Sequence, residues 1–205
     1  VIGISDAQRG VLEDLAPSLE HGTYLAGGVA VAIAFGHRLS RDLDLFVPHD
    51  FDPDRVAERL AGAGSAVRIT GRARGTLHLE VTGVAASILS YRYPLLRPVE
   101  LRAGLAVPVA SPLDLACMKV SAIAGRGAAK DFWDLHVMLE HGVGQGDLAR
   151  LLEDYARKFP IEDVGHAVRS LAYFGDADAA PLPDGLSPEV WATIKEASAA
   201  RVRAL

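Results

Sequence analysis

Two aspartates, Asp42 and Asp44, stand one residue apart inside an alternating polar and apolar run, DLDLFV. Successive strand residues point to opposite sides, so positions two apart share a face. These carboxylates would therefore project together from one end of a strand. Like charges so placed repel unless a divalent cation lies between them, and Mg2+ takes hard oxygen ligands, usually one or two carboxylates completed by substrate phosphates and water. The same pair also reads as the solvent face of an edge strand. Upstream, Gly27 and Gly28 follow a short apolar run and open a longer one, GGVAVAIAFG. Backbone N–H groups at a glycine-rich helix start, together with the helix dipole, attract phosphate. Arg38 and Ser40 stand just before the acids, so anion donors and cation ligands are gathered in one stretch.

The elements that must position these residues follow from periodicity. SDAQRGVLEDLAPSLE carries Val11, Leu12, Leu15 and Leu19 at helical spacing behind Ser5 or Asp6 as cap. TYLAGG is a short strand broken by glycine, VAVAIAFGHR a buried helix stopped by Gly36, and DLDLFV a strand with one buried face. DFDPDRVAERLAGAG predicts an amphipathic helix ended by glycine, and residues 66–94 predict three β-runs joined by glycine turns, forming an antiparallel or mixed sheet. From Ser111 onward the patterns are helical: SPLDLACMKVSAIAG, with Ser, Pro and Asp as start signals, then AAKDFWDLHVMLEHG, QGDLARLLEDYARKF, IEDVGHAVRSLAYF and SPEVWATIKEASAARVRAL. GDADAAPLPDG separates the last two as a loop. The expected fold class is α+β: an N-terminal mixed sheet with flanking helices over residues 1–110, followed by a helical half over 111–205.

Composition narrows the function. Half of the 205 residues are apolar, which supplies a sizeable core. A net charge of −5 speaks against a general nucleic-acid or anionic-membrane binder, leaving only local basic patches. One cysteine, Cys117, excludes an intramolecular disulfide and a cysteine metal cluster, and fits a reducing, cytoplasmic setting. The longest apolar run, Leu25 to Phe35, is far short of the ~20 residues a membrane span requires, and no secretory leader pattern precedes it. A soluble chain with no membrane partner is expected.

Three blocks, LAGGVAVAIAFGHRLSRDLDLF, SPLDLACMKVSAIAGRGAAKDFWDL and LAYFGDADAAPLP, keep one order across nearly the whole chain. In that combination the sequence resembles the AbiEii/AbiGii-type toxins, nucleotidyltransferases of the polymerase-β-like superfamily. The resemblance implies that Gly27 and Gly28 hold a nucleoside triphosphate, Asp42 and Asp44 bind Mg2+, and Lys119 and Asp131 complete a cleft from the helical half. It further implies an RNA or tRNA end, or a protein side chain, as acceptor, and a cognate antitoxin as partner. Lys119 and Arg126 are seven residues apart, on one helix face about 10.5 Å apart along the axis, so both are candidates for phosphate. Lys119 also reads as a solvated lysine, Asp131 as an acid favoured by the dipole of a helix start, and Lys130 as either a phosphate contact or a surface ion-pair partner. Asp134, one turn from Asp131, is a second candidate there.

The sequence departs from the wider superfamily pattern at three places. Gly28 stands where many members have Ser, Val29 removes a hydroxyl often carried as Thr, and VAASILSY offers Ser87 in place of a third carboxylate. Glu80 on the preceding run is the candidate third acid. His37 belongs to the resemblance and also reads as a helix-end histidine bonded to carbonyls. RITGRARG, with Arg68, Arg72 and Arg74, and the run Tyr91-Arg92-Tyr93 read either as contacts to an RNA backbone or as solvated loops. A nucleotide- or partner-binding module without turnover, and a phosphotransferase moving the γ-phosphoryl group, are the rival functions.

Overall fold

The computed structural model describes residues 3–62 and 66–205, which divide into two compact units, Val1–Ser111 and Pro112–Leu205. In the first unit α1 (Asp6–Leu15) starts at Ser5, whose hydroxyl accepts from the Gln8 amide while Gln8 Oε1 accepts from the Ser5 amide. Both orphan donors are thereby satisfied. The helix stops at Leu15, earlier than its apolar spacing suggests, because Pro17 removes an amide and the chain tightens into a 3-10 turn. β1 (Tyr24–Ala26) feeds directly into α2 (Gly27–Phe35), which ends on Gly36 in the left-handed region at φ 65°. β2 (Leu43–Val47), α3 (Pro53–Gly62), β3 (Val67–Ala73), β4 (Thr76–Val81) and β5 (Val84–Ser90) complete the unit. The glycine expected to stop α3, Gly64, lies outside the described residues.

The strand order is β1-β2-β5-β4-β3, with β2 and β5 parallel and the other neighbours antiparallel. The sheet is mixed, as the runs and glycine turns predict. β2 has a hydrogen-bonded neighbour on each side, so the edge-strand reading of DLDLFV is overturned. Leu43, Leu45 and Val47 are fully buried while Asp44 and Phe46 alternate with them toward the other side, which is the expected period. Val29 to Ala32 of α2 are buried all round and Val11, Leu12 and Leu15 of α1 supply a stripe. Each buried valine or leucine among them contributes about 1.5–3 kcal/mol. That core packs against both β2 and α2.

The second unit is helical: α4 (Pro112–Arg126), α5 (Ala129–Glu140), α6 (Leu148–Lys158), α7 (Gly165–Leu171), α8 (Gly175–Asp178) and α9 (Pro188–Arg203). The expected loop GDADAAPLPDG differs in one respect, since Gly175–Asp178 forms a single helical turn. Phe132, Phe174 and Trp191 meet with ring centroids 5.3–6.0 Å apart, and Phe132, Trp133, Leu135 and Leu139 are core residues. Asp114, read from sequence as a capping-box acid, accepts from Lys158 at 2.7 Å, and both side chains are fully buried. Cys117 is buried, which pushes its thiol up to about 12, so it is an inert packing residue. Among the described residues no helix is long and apolar enough to cross a membrane.

Candidate active site

β1 and β2 are antiparallel with Ala26 opposite Asp44, which places the residue after Ala26 beside the Asp44 carboxylate. Gly27 takes φ +66° at that point, and a Cβ built on it would lie 2.1 Å from Asp44 Oδ2 and 2.9 Å from Asp44 Cβ and Cγ. Only glycine leaves room for this carboxylate against the opening turn of α2. Gly28 repeats the arrangement with different partners. A Cβ there would lie 2.4 Å from Ser40 Oγ and 2.9 Å from the Arg38 Nη2. The volume that a serine at position 28 would fill is thus occupied by the hydroxyl of Ser40 and the guanidinium of Arg38. A hydroxyl and a guanidinium thus stand beside the glycine turn, brought from the loop before β2, a juxtaposition that spacing alone does not reveal.

The loop is itself tied down. Gln8 of α1 donates through Nε2 to the carbonyls of Ser40 at 2.8 Å and Arg41 at 3.0 Å, and Arg38 donates to the Leu39 carbonyl at 3.0 Å. Gln8 carried no chemical signal in the sequence; only its place as a buried polar residue facing a distant loop marks it. Asp42 is exposed immediately before β2, and Asp44 is half-buried. Gly27, Gly28, Arg38, Ser40 and Asp44 are therefore brought together in the first unit, with Asp42 two residues from Asp44 along the chain.

The donor set bears on a metal. Among the described residues no group of three or more His, Cys, Asp or Glu side chains is built to hold an ion. Two neighbouring carboxylates beside phosphate donors fit Mg2+, which dehydrates reluctantly and completes its shell with substrate phosphates and water. They do not form an all-protein cage. Ser87 lies beside Asp44 on the parallel neighbour, so the strand position next to the acid carries a hydroxyl. Glu80 pairs in register with Ala85 on β5 and forms an ion pair with Arg68 at 2.6 Å. Two strand spacings separate its strand from β2, about 10 Å.

In the second unit the picture is an ion cluster. Lys119 on α4 is buried, and its ammonium meets Asp131 Oδ1 at 2.8 Å and Asp134 Oδ2 at 2.7 Å on α5. The solvated-lysine reading is overturned. Arg126 grips the same Asp131 with both arms, Nε to Oδ2 at 2.8 Å and Nη2 to Oδ1 at 2.9 Å. Bidentate contact of this kind fixes the guanidinium plane. Burial pushes the Asp131 carboxyl up, but the hydrogen bonds and charges of Arg126 and Lys119 outweigh it and hold the group below its ordinary value. Asp131 is fully buried while the Arg126 side chain is 58% exposed. Lys130 is exposed, with no ion pair among the described residues. The Lys119 and Arg126 spacing thus does put two cations on one face, where they converge on a single carboxylate.

Comparison with known proteins shows the family and the fold. The family model for nucleotidyl transferase AbiEii toxins of type IV toxin–antitoxin systems matches residues 11–99 and 63–203. A protein of Aquifex aeolicus (strain VF5) described as uncharacterized, aq_aa25, is 40% identical over 160 residues, covering 75% of this chain and 74% of its own. Among solved structures, MenT4, a nucleotidyltransferase toxin from Mycobacterium tuberculosis H37Rv, superposes with a TM-score of 0.66 at 18% identity, over 97% of this chain and 82% of that one. A putative nucleotidyltransferase from H. pylori gives 0.54 at 16% identity, over 98% and 96%. At such identities the structural likeness speaks for the fold.

Proposed function

We propose, from the premise that this chain belongs to the AbiEii nucleotidyltransferase toxin family, that it transfers a nucleoside monophosphate from a nucleoside triphosphate to a hydroxyl acceptor. The observation that carries the reading is the contact of the Asp44 carboxylate with the glycine that opens α2. An acid held against a helix N-terminus is repelled by phosphate unless a cation is shared between them, and is productive when one is. Asp42 and Asp44 would hold Mg2+, which when bound neutralises charge on the triphosphate and polarises the α-phosphorus.

The chain's own residues do the rest. Amides at Gly27 and Gly28, the Ser40 hydroxyl and the Arg38 guanidinium bind and orient the phosphates, converting the encounter into a positioned reaction. The acceptor oxygen forms a bond to the α-phosphorus as the bond to the bridging oxygen breaks, and pyrophosphate leaves. From the helical unit, Arg126 is the candidate cation for phosphate, because it is exposed and its plane is fixed. Lys130 is the exposed companion charge. Asp131 positions Arg126, and Lys119 holds Asp131 while it is itself shared with Asp134. The lowered pKa of Asp131 suits an anchor, since a general base works best with a pKa near the operating pH. The acceptor is an RNA or tRNA end or a protein side chain, and an antitoxin is the expected partner.

Purified protein with Mg2+ and nucleoside triphosphates labelled at the α or γ position tests the proposal. Transfer of the α label with release of pyrophosphate, abolished in Asp42→Ala, is the expected result. Transfer of the γ label alone would make the protein a phosphotransferase. Nucleotide retention without turnover on any RNA or protein offered would make it a binding module.

A further inference from the structure

The basic turn and the aromatic strand end that the sequence set far apart meet at the end of the sheet away from the acids. β5 finishes at Ser90, level with Val47 on β2, and the Tyr91 amide donates to the Val47 carbonyl at 2.7 Å. The β3–β4 turn closes over the same point, the Ser90 amide donating to the Gly75 carbonyl at 2.7 Å. Gly75 has φ +64°, and a Cβ on it would lie 2.9 Å from that of Ser90, so this approach needs glycine. The result is an open groove of about 650 Å3 lined by Asp50, Arg74, Ser90, Tyr91, Arg92 and Tyr93, in which the Ser90 hydroxyl donates to Asp50 at 3.1 Å. Val47 is three residues beyond Asp44, so the groove starts about 10 Å along β2 from the acid site.

Its chemistry is specific. Tyr91 stands edge-on to Phe46 with centroids 5.1 Å apart, and Tyr93 stands edge-on to Tyr91 at 5.2 Å. The outer ring is 48% exposed, so a rigid aromatic surface faces water. Arg74 is exposed, with no ion pair among the described residues. Arg92 is exposed and only loosely held, 3.5 Å from Asp50. Guanidinium groups take phosphates and an aromatic face takes an unpaired base. A duplex keeps its base faces stacked inside, so Tyr93 selects single strands.

We propose that this groove binds a single-stranded segment of polynucleotide, with phosphates on Arg74 and Arg92 and a base on Tyr93. It rests on the transfer reading only for the bound strand's role as acceptor or its extension; the binding itself requires no chemistry. Asp50 competes with phosphate for Arg92, which keeps the site weak in a chain of net charge −5.

Fluorescence anisotropy of the full chain with a short labelled RNA of about 12 nucleotides, a DNA of the same sequence and the duplex of each tests this between about 50 and 200 mM salt. Single strands are expected to bind and duplexes to bind much more weakly. Tyr93→Ala should weaken single-strand binding about five- to a hundred-fold. Replacing Arg74 and Arg92 together by alanine should lower the salt slope by about 1.4, two single-strand phosphates at about 0.7 each. Asp50→Asn should tighten binding. A preference for RNA over DNA supports the proposal with the sugar hydroxyl read, and equal binding supports it with the sugar unread. Wild-type affinity in both the tyrosine and arginine variants, equal affinity for duplex, or no binding at the lowest salt overturns it. Wild-type α-label transfer measured beside strand binding separates the two readings: if wild type transfers nothing yet binds strands through these residues, the groove stands and the transfer reading falls.

Discussion

Replacing Gly27 by alanine isolates the contact on which the site depends. At φ +66° the left-handed conformation costs an L-residue roughly 1–2 kcal/mol. The new methyl would sit 2.1 Å from Asp44 Oδ2 and 2.9 Å from Asp44 Cβ and Cγ, against about 3.5–4.0 Å for unstrained carbon contacts. Three atoms of one side chain are crowded at once, so rotating the carboxylate cannot relieve the overlap. β2 is held on both sides by strands, so its backbone cannot step aside. The carboxylate must therefore move by about 1 Å, a displacement that costs a positioned reaction about a hundred-fold. The backbone strain alone lowers Tm by roughly 2–8 °C, at about 2–4 °C per kcal/mol for a chain of this size. Gly10, inside α1 with nothing within 4 Å of its Cβ position, is the control: Gly10→Ala gains about 0.5–1 kcal/mol by helix propensity. Thermal melts paired with α-label transfer rates read both effects. Wild-type stability and rate in Gly27→Ala would refute the argument.

Gly28→Ser should raise the nucleotide KM at least about ten-fold, as expected when a hydrogen bond to a charged group is displaced, because its side chain would collide with Ser40 Oγ and Arg38; Ser40→Ala in the same chain should restore much of the loss, measured by steady-state kinetics. Lys119→Met leaves Asp131 and Asp134 buried without their shared cation and should cost about 3–5 kcal/mol in chemical denaturation. Arg126→Ala, at an exposed side chain, should cost much less stability while reducing transfer. Asp131 has its folded pKa below the ordinary 3.8, so the stability it contributes is complete above that value and is lost as pH falls through the lower folded one. Acid unfolding of wild type should accordingly steepen below about pH 4, and Asp131→Asn should lose that dependence.

The elements were legible where a single period dominates. DLDLFV alternates over a strand whose buried side is Leu43, Leu45 and Val47, and its residues announce that by themselves. Ser187 and Pro188 mark the start of α9 because both signals are local, the serine hydroxyl accepting from the Val190 amide. What spacing cannot convey is which neighbour a strand acquires. Whether the Asp42 and Asp44 run sat at an edge or inside the sheet depended on β5, some forty residues away in the chain. For the same reason Asp114 reads as a cap in isolation and becomes half of a buried ion pair only when Lys158 arrives from α6.

The candidate residues of the two units divide along the same line. Gly27, Gly28, Asp42 and Asp44 stood out as candidates because each residue type answers a local reading: backbone room, amide donors, or two acids at strand spacing. Lys119 and Asp131 were visible only through the family pattern, since a lysine and an acid twelve positions apart imply nothing until two helices pack. Packing also redistributes roles within such a group. A buried ammonium already sharing two carboxylates has few protons left for phosphate, whereas an arginine pinned bidentately by one of those carboxylates still presents its outer edge to solvent. The acid most tightly surrounded by cations is thus the one that gives Arg126 its direction. This ordering follows from valence and burial together, so it should hold wherever a lysine, an arginine and two acids share one helix corner, and Asp134→Asn should disturb Lys119 while leaving the Arg126 grip on Asp131 intact.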